Sequence, residues 1–358
     1  MSAAINHSDV AIVGAGILGL AHAVEALKSG FSVRVFERDT RSKGASVRNF
    51  GMVFPSSLPF GKRREWALYS RDRWIAMAEE AGFWCNDGGM LFLTHEKIEE
   101  DVAGEFRDVY RTGDAAYEML PSRTVHREFG HILGRVTFAS LFSPLEVRIN
   151  PRQAIPALAD WINRHDSGEV LFGHAVQSVW GEHLRTAHGA FTADRIIVTP
   201  GMDAQELFPH TLSGLEHHVC RLQMMRSKRL PGRRILDPAV VTGLSFIRYP
   251  SFEACTGLGA LQRHLRRTYA EHLDLGIHLL VAQDDTGRLI IGDSHENEAE
   301  VGFDYRSKIE DLILDVYRQR INPTTPGIRE RWIGQYLVTD QDSPVIHAPE
   351  AHIRVVSG

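Results

Sequence analysis

An apolar run that leads into a glycine-rich turn is the feature that most constrains the fold of this chain. After Asp9–Val13 come Gly14, Gly16 and Gly19 in a G-x-G-x-x-G pattern, then a helix-like segment and a second apolar strand that ends at Glu37. Gly14 would permit the tight turn, Gly16 the approach of the backbone to a pyrophosphate, and Gly19 the close packing of helix on strand. The helix N-terminus would face the phosphates, and Glu37 would accept hydrogen bonds from ribose hydroxyls. The pattern predicts a βαβ unit that binds a dinucleotide.

Composition argues against several kinds of partner. The chain has 40 Lys and Arg against 45 Asp and Glu, a formal net charge of -5, so no global positive field would attract nucleic acid or an anionic membrane. Cys85, Cys220 and Cys255 are scattered and have no CxxC spacing, so we expect no metal site, no disulfide and a reducing compartment. Met1 to Ser8 is short and polar, and no apolar run approaches the roughly 20 residues that cross a bilayer. We therefore expect a cytoplasmic protein without a membrane partner.

A length of 358 residues favours two interleaved domains. We expect a discontinuous dinucleotide-binding domain over 1–75, 145–215 and 325–358, and a substrate domain over 76–144 and 216–324. Asn150 followed by Pro151 predicts the start of a helix that runs to about Arg164. Short strands follow, ending in Thr199-Pro200-Gly201, and Val240 to Tyr249 reads as extended. The expected fold is α/β: a Rossmann-type domain with a parallel sheet, interleaved with an α+β substrate domain on a mixed or antiparallel sheet.

NAD and FAD enzymes share the opening fingerprint, so the choice between them depends on later segments. Three segments resemble parts of flavin-dependent amine oxidases: Gly44–Met52, Arg195–Met202, and Trp332-Ile333-Gly334 through Ile346. On these residues the chain resembles, over nearly its whole length, the FAD-dependent oxidoreductases of the D-amino acid oxidase, glycine oxidase and sarcosine oxidase superfamily. The short segments Ser46–Met52, Ile247–Phe252 and Ile290–His295 are most similar to a bacterial branch associated with phosphonate breakdown.

The resemblance implies FAD, bound noncovalently because no cysteine matches the flavin attachment pattern of sarcosine oxidases. The residues expected to hold it are Gly14, Ala15, Gly16, Ile17, Leu18, Gly19, Glu37, Arg38, Ser46, Arg48, Asn49, Phe50, Gly51, Met52, Val176, Thr199, Pro200, Gly201 and Gly334. The flavin would accept a hydride from the carbon that carries the amine, so few catalytic side chains are needed. The branch implies oxidation of 2-aminoethylphosphonate or its N-methyl form to an aldehyde, with release of ammonia or methylamine, and O₂ as the electron acceptor that yields hydrogen peroxide.

One position departs from the superfamily. Relatives that oxidise amino acids place an arginine shortly after the Trp-x-Gly motif, where it clamps the substrate carboxylate, and Tyr336 stands at the matching position here. We expect the acid group of the substrate to be bound elsewhere, by Arg248 and Tyr249 with Tyr336, and we expect Gln335 and Tyr336 over the flavin face as catalytic residues. The chain has 18 histidines, so His295 and the His217-His218 pair are first interpreted as structural.

Two alternatives stay open. One is a glycine, sarcosine or D-amino acid oxidase that uses a different basic residue for the carboxylate. The other is a flavin-binding homologue without oxidase activity, because relatives continue past the last strand with a helix that approaches the flavin whereas this sequence ends at Ser357-Gly358.

Overall fold

A computed structural model describes residues 6–111, 116–134, 138–232, 235–298, 302, 304–341 and 343–358. The strands are β1 (Asn6–Val13), β2 (Val33–Glu37), β3 (Met52–Val53), β4 (Cys85–Asn86), β5 (Met90–Leu93), β6 (Glu118–Leu120), β7 (Ser140–Ser143), β8 (Val147–Ile149), β9 (Gly168–Phe172), β10 (Val176–Trp180), β11 (His183–Thr186), β12 (Gly189–Val198), β13 (His217–Arg229), β14 (Ala239–Thr242), β15 (Leu280–Gln283), β16 (Arg288–Gly292), β17 (Glu296–Glu298), β18 (Ile328–Thr339), β19 (Val345–Glu350) and β20 (Ile353–Ser357). The helices are α1 (Ile17–Lys28), α2 (Lys62–Ala81), α3 (Lys97–Val109), α4 (Ser122–Leu133), α5 (Pro151–Asn163), α6 (Gly243–Phe246), α7 (Leu258–Asp274) and α8 (Ser307–Arg320).

The first sheet has parallel strands at its centre. β1 pairs in parallel with β2 on one side and β12 on the other, β9 extends the sheet beyond β2, and β20 pairs in parallel with β12. The antiparallel strands β10, β11 and β19 complete its eight strands. Helix α1 connects β1 to β2 and buries Leu20, Ala23, Val24 and Leu27, the spacing of one helix face, against this sheet. The predicted βαβ unit is confirmed.

The second sheet is mixed and has nine strands. At one end of this sheet the long strands β13 and β18 pair antiparallel, from His217 opposite Thr339 to Ser227 opposite Ile328, whereas β14 and β5 are parallel. A small three-stranded sheet of β3, β8 and β4 lies beside these two. The expected combination of a parallel dinucleotide sheet with a mixed second sheet is therefore confirmed. Because β18 belongs to the second sheet, we propose a domain division in which residues 328–339 move to the substrate side.

Two local expectations can be compared directly with the structure. Asn150 caps α5 as predicted: its side chain accepts a hydrogen bond from the backbone N–H of Arg152, 3.1 Å away. The extended stretch from Val240 to Tyr249 is wrong beyond Thr242, because the backbone turns into the short helix α6 at Gly243. Among the helices in the described ranges, none has the length and apolar character needed to cross a bilayer.

Candidate functional site

The glycine-rich turn brings three backbone segments together more closely than any side chain would allow. Gly14 has a φ of +103°, and a Cβ atom there would lie 2.4 Å from the carbonyl oxygen of Thr199. A Cβ on Gly19 would lie 1.9 Å from the Gly14 carbonyl oxygen. The Thr199 hydroxyl donates a hydrogen bond to the Val13 carbonyl 2.9 Å away, which joins the end of β12 to the turn. Gly14, Gly19 and the Thr199-Pro200-Gly201 turn are thus neighbours at the carboxyl ends of β1 and β12.

The N-terminus of α1 and the end of β2 complete this part of the site. A Cβ on Gly16 would meet only the Ser46 hydroxyl, at 3.2 Å, and that hydroxyl accepts a hydrogen bond of 2.9 Å from the Ile17 N–H. Glu37 is buried, and its carboxylate accepts hydrogen bonds from the N–H groups of Ala15 and Asp39, each 3.0 Å away. The bare backbone at Gly16, the helix N-terminus and the acid at the strand end fit the pyrophosphate and ribose of FAD.

Arg38 and Val176 lie next to this region, and the side chains of both make contacts within the protein. The Arg38 guanidinium pairs with Asp203 and, at 3.0 Å, with Glu206, just after the Thr199-Pro200-Gly201 turn. These residues, with Met202 and Gln205, line an open cleft. Val176 begins β10 and packs in the apolar cluster that contains Phe36. Both residues therefore lie beside the strand ends where the FAD site is expected.

The loop after β2 connects the dinucleotide sheet to β18. The Arg48 carbonyl accepts a hydrogen bond of 3.0 Å from the indole N–H of Trp332, and the Arg48 guanidinium donates to the Ile333 carbonyl at 3.3 Å. A Cβ on Gly334 would lie 3.0 Å from that same Arg48 carbonyl. Arg48 and Gly334, which are 286 positions apart in the sequence, are therefore in contact, as the predicted shared role at the flavin requires.

Asn49, Gly51 and Met52 shape this loop from within. The Asn49 amide donates to the carbonyls of Ala45 and Ser46, and its oxygen accepts a hydrogen bond from the Gly51 N–H. Gly51 has a φ of +71°, and a Cβ there would lie 2.0 Å from the Ile149 carbonyl oxygen. The structure shows these residues holding the loop in shape, and contact with FAD stays a prediction for them.

Phe50 and Tyr336 lie on one face of the β13–β18 pair. Both pack against the cluster of Cys220, Leu222 and Met224, which project from that face of β13. Tyr336 stands directly opposite Cys220, and the two side chains are in contact. Burial and that contact raise the pKa of Tyr336, so the phenol is neutral at physiological pH.

Gln335 lies on the opposite face of the β13–β18 pair from Tyr336. It lies opposite Arg221, and successive side chains of a strand point to opposite faces of the sheet, so Gln335 projects away from Tyr336. The expectation that Gln335 and Tyr336 share one face is therefore wrong, and which of the two contacts the flavin stays a prediction. A strict period of two in β18, with Trp332, Gly334 and Tyr336 on one face, is the sequence signal that separates the two residues.

Arg248 lies in the turn after α6 rather than at the end of a strand. Its side chain has no hydrogen bond or ion pair with any residue in the described ranges, and it is exposed. Its positive charge nevertheless acts on six groups drawn from separate parts of the second sheet and its loops: Cys220, Tyr249, His278, Asp293, His295 and Tyr336. We call Arg248 and these six residues the polar cluster. The three predicted substrate-binding residues, Arg248, Tyr249 and Tyr336, all belong to it.

Tyr249 connects the polar cluster to the loop from the dinucleotide sheet. Its ring makes edge contacts with Phe54, whose centroid is 4.7 Å away, and with His278, at 5.6 Å. Burial raises the pKa of Tyr249 above its ordinary value, so its hydroxyl is a neutral donor. The phenols of Tyr249 and Tyr336, together with the Arg248 guanidinium, give the cluster both fixed charge and hydroxyl donors, which is the chemistry that binds a phosphoryl oxygen or a carboxylate.

Four members of the polar cluster were not singled out as functional from the sequence: Cys220, His278, Asp293 and His295. Asp293 is 4% exposed, and its Oδ1 lies 3.5 Å from His278 Nε2 and 3.7 Å from His295 Nδ1. Burial raises the pKa of Asp293 to about 7, against the opposing effect of Arg248. Burial and the Arg248 charge lower the pKa of His295 to about 3 and that of His278 well below 6.5. In the sequence, the segment Ile290–His295 was used only as part of the family resemblance. The position of Asp293 directly after the buried strand β16 is the sequence signal that could have identified it.

Comparison with known proteins agrees with this geometry. A family model described as FAD dependent oxidoreductase matches residues 9–358. The fold is similar to glycine oxidase from Geobacillus kaustophilus, with a TM-score of 0.77, 18% identity and coverage of 99% of this chain and 89% of that one. It is also similar to L-α-glycerophosphate oxidase from Mycoplasma pneumoniae with FAD bound, with a TM-score of 0.74, 14% identity and coverage of 99% and 89%.

A curated relative is more similar in sequence but is much longer. The tRNA 5-methylaminomethyl-2-thiouridine biosynthesis bifunctional protein MnmC from Vibrio campbellii is 25% identical over 223 residues. These residues are 58% of this chain but only 32% of that protein. The family match covers almost the entire sequence, and the turn, strand ends and loop that it requires are present in the structure. This chain therefore belongs to the FAD dependent oxidoreductase family and is an FAD-dependent oxidoreductase.

Proposed function

We propose that this enzyme oxidises a small primary or N-methyl amine that carries a phosphonate, with 2-aminoethylphosphonate and its N-methyl form as the favoured substrates. The observation that supports this most directly is the Arg248 guanidinium, exposed and without a hydrogen bond or ion pair in the described chain, in the same cluster as Tyr249 and Tyr336. An uncompensated arginine beside two neutral phenols is suited to an anion with several acceptor oxygens.

The bound flavin supplies the hydride acceptor for the carbon next to the nitrogen. The residues of this chain would orient the substrate. Arg248, Tyr249 and Tyr336 would bind the acid end, and Phe50 would form part of the apolar floor beneath the carbon chain. Loss of the hydride turns the amine into an imine, and water hydrolyses the imine to an aldehyde and ammonia or methylamine. We propose O₂ as the final electron acceptor, which yields hydrogen peroxide.

Two observations support a phosphonate-bearing amine as the substrate: the fold neighbours, and the residue at position 336. The fold is shared with glycine oxidase, whose name gives an amine substrate, and with L-α-glycerophosphate oxidase, whose name gives a phosphate ester. The position where amino-acid oxidising relatives are expected to carry an arginine is occupied by Tyr336, which is neutral. The second candidate is oxidation of glycine or sarcosine, because Arg248 is also able to bind a carboxylate.

Steady-state peroxide production from four substrates separates the candidates: 2-aminoethylphosphonate, its N-methyl form, glycine and sarcosine. We expect kcat/KM for at least one phosphonate to exceed that for both amino acids by tenfold or more. A preference for glycine or sarcosine would favour the second candidate. If none of the four is oxidised by protein that contains FAD, the proposal is wrong.

Substitution of Arg248 tests the proposed anion site. Arg248→Gln removes the guanidinium, and loss of charge-assisted hydrogen bonds worth about 2–4 kcal/mol should raise KM for the phosphonate roughly 30- to 1,000-fold. The matched control is Arg267→Gln, since Arg267 is likewise an exposed arginine, on α7, and is not a member of the polar cluster. Equal effects of the two substitutions would show that Arg248 acts only through the general charge of the protein.

A further inference from the structure

Oxidation of an amine at the carbon next to nitrogen requires a free electron pair on that nitrogen. A simple alkylamine has a pKa of about 10, so nearly every molecule is an ammonium ion at neutral pH. The enzyme must therefore take one proton from its substrate before hydride loss. Sequence reasoning named no residue for this step, and the polar cluster is where the amine would lie under the proposed function.

Most members of the polar cluster are unable to accept this proton. Arg248 is permanently charged. Tyr249, Tyr336 and Cys220 have raised pKa values and already carry their protons. His278 and His295 are neutral, but burial and the Arg248 charge lower their pKa values so far that both are very weak bases. Asp293 is the remaining group.

The surroundings of Asp293 suit it to a cationic partner. Its Oδ1 is buried and has no hydrogen bond to any residue that the structure describes. The two imidazole nitrogens nearest to it, at 3.5 and 3.7 Å, lie beyond good hydrogen-bond distance. The far nitrogen of His278, Nδ1, lies 3.1 Å from the Ser245 hydroxyl. His295 Nδ1, the nitrogen nearest to Asp293, lies closer to the Gly276 carbonyl, at 3.3 Å. A buried carboxylate oxygen without a partner is costly unless a ligand supplies one.

We propose that Asp293 accepts the proton of the bound substrate ammonium, while Arg248 binds the acid group at the other end of the same molecule. This inference rests on the proposed function, because it assumes an amine substrate with an acid group. In the step, one N–H bond of the ammonium breaks, an O–H bond forms on Asp293, and no electrons change hands. The positive Arg248 and the negative Asp293 in one cluster match the two charges of a zwitterionic substrate.

A bound metal ion is the competing interpretation of the same residues. Ligand-type atoms of His278, Asp293 and His295 all lie within 4.8 Å of one another. The Arg248 charge acts on all three groups, however, and a divalent cation would add a like charge to a site that already holds a guanidinium. The same charge attracts an anionic substrate, so the electrostatics favour the proton acceptor.

The first test is the pH dependence of kcat/KM for wild type and Asp293→Asn, measured with 2-aminoethylphosphonate and with glycine. Wild type should lose activity as the pH falls below about 7, because Asp293 becomes protonated, and should be level above it. Asp293→Asn should be about 10²- to 10³-fold slower at pH 7. Its kcat/KM should keep rising through pH 9, since only the neutral amine present in solution is then usable. Asp311→Asn, at an exposed position on α8, should match wild type.

The second test needs neither substrate nor turnover. Infrared difference spectra of wild-type holoenzyme should show a carboxylic acid band that grows as the pH falls through about 7, and Asp293→Asn should lack it. Its absence in wild type overturns the proposal even if the variant does not fold. An unchanged pH profile in a folded Asp293→Asn, or one tightly bound metal ion per wild-type chain, also overturns it. An Asp293-dependent profile with glycine but no oxidation of phosphonates would contradict the proposed function and leave this inference standing.

Discussion

Tyr336 of β18 stands directly opposite Cys220 of β13, and the two side chains pack together on one face of the sheet. This pair occupies the place where the family resemblance leads us to expect an arginine that clamps a carboxylate. The pair is neutral, and the Arg248 charge acts on it from the turn after α6. A positive charge therefore acts on this position from the turn after α6 and not from β18.

Restoring an arginine at position 336 should change substrate preference. Tyr336→Arg places a second guanidinium beside Arg248, and we expect the ratio of kcat/KM for glycine to that for 2-aminoethylphosphonate to rise by at least tenfold. Tyr336→Phe is the matched control, since it removes one hydroxyl and keeps the ring packed against Cys220 and Leu222. We expect Tyr336→Phe, which loses one hydroxyl donor but gains no charge, to change the ratio much less than Tyr336→Arg. If both variants change the ratio equally, position 336 does not select the acid group.

Gly16→Ala should weaken FAD binding without unfolding the protein. Gly16 has a φ of -74°, which alanine adopts easily, and the nearest atom to a new Cβ is the movable Ser46 hydroxyl at 3.2 Å. A pyrophosphate that approaches the backbone here would meet the methyl group, so we expect the FAD dissociation constant to rise tenfold or more.

The control for this substitution is Gly44→Ala, which has the same φ of -74° and no atom within 4 Å of the added Cβ. Fluorescence titration of flavin-free protein gives the dissociation constants, and thermal unfolding of the same samples gives their stability. Equal FAD affinities for the two variants would contradict the placement of the pyrophosphate at Gly16.

Burial of Glu146 makes stability depend on pH in a predictable direction. Its carboxylate accepts a hydrogen bond of 3.1 Å from the Ser56 N–H, but Oε2 has no partner in the described part of the chain, and burial raises the pKa. The folded protein therefore favours the protonated acid, whose stabilising contribution is complete below the unfolded pKa of about 4.5 and is lost as the pH rises through the folded pKa.

Glu146→Gln removes this titration because the amide stays neutral. Its free energy of unfolding, relative to wild type, should increase from pH 4.5 to pH 8, as urea titrations at several pH values would show. Glu118→Gln, at an exposed position on β6, should give a difference that varies little with pH. A Glu146→Gln difference that is constant or falls with pH would contradict the raised pKa.

Removal of Arg320 should strongly destabilise the second sheet. Its guanidinium donates a hydrogen bond of 2.5 Å to the Glu99 carboxylate, and both side chains are buried. Arg320→Met leaves the buried Glu99 carboxylate without its cationic partner, at a cost of about 3–5 kcal/mol in the free energy of unfolding. The exposed pair of Arg127 and Glu128 provides the control, since Arg127→Met should cost less than about 1 kcal/mol. Similar losses in urea denaturation for both variants would contradict this account.

The sequence predicted the dinucleotide half well because its signals are local. The turn at Gly14, the helix face of α1 and the cap at Asn150 each depend on residues within one or two turns of backbone. Arg248, Tyr249 and Tyr336, predicted to bind the substrate, all lie in the polar cluster, although α6 replaces the expected strand before Arg248. Their contact with a substrate stays a prediction.

Other parts of the site depend on contacts that a linear reading does not contain. Asp293 faces His278 only because β16 and β15 pair and the loops beyond them converge. Gln335 and Tyr336 were wrongly expected on the same face, because the register of β18 against β13 was not known from the sequence. Once that register is known, alternation along the strand separates Gln335 from Tyr336.

The central claim is that Arg248 and its neighbours recognise a phosphonate attached to an oxidisable amine. Anaerobic mixing of the FAD-loaded enzyme with 2-aminoethylphosphonate, and separately with β-alanine, tests it most directly, because the two molecules have the same carbon chain and amine and differ only in the acid group. Bleaching of the flavin absorbance gives the rate of reduction and the apparent dissociation constant. We predict that the ratio of these two quantities is at least tenfold larger for the phosphonate; equal ratios, or a larger one for β-alanine, would contradict the claim.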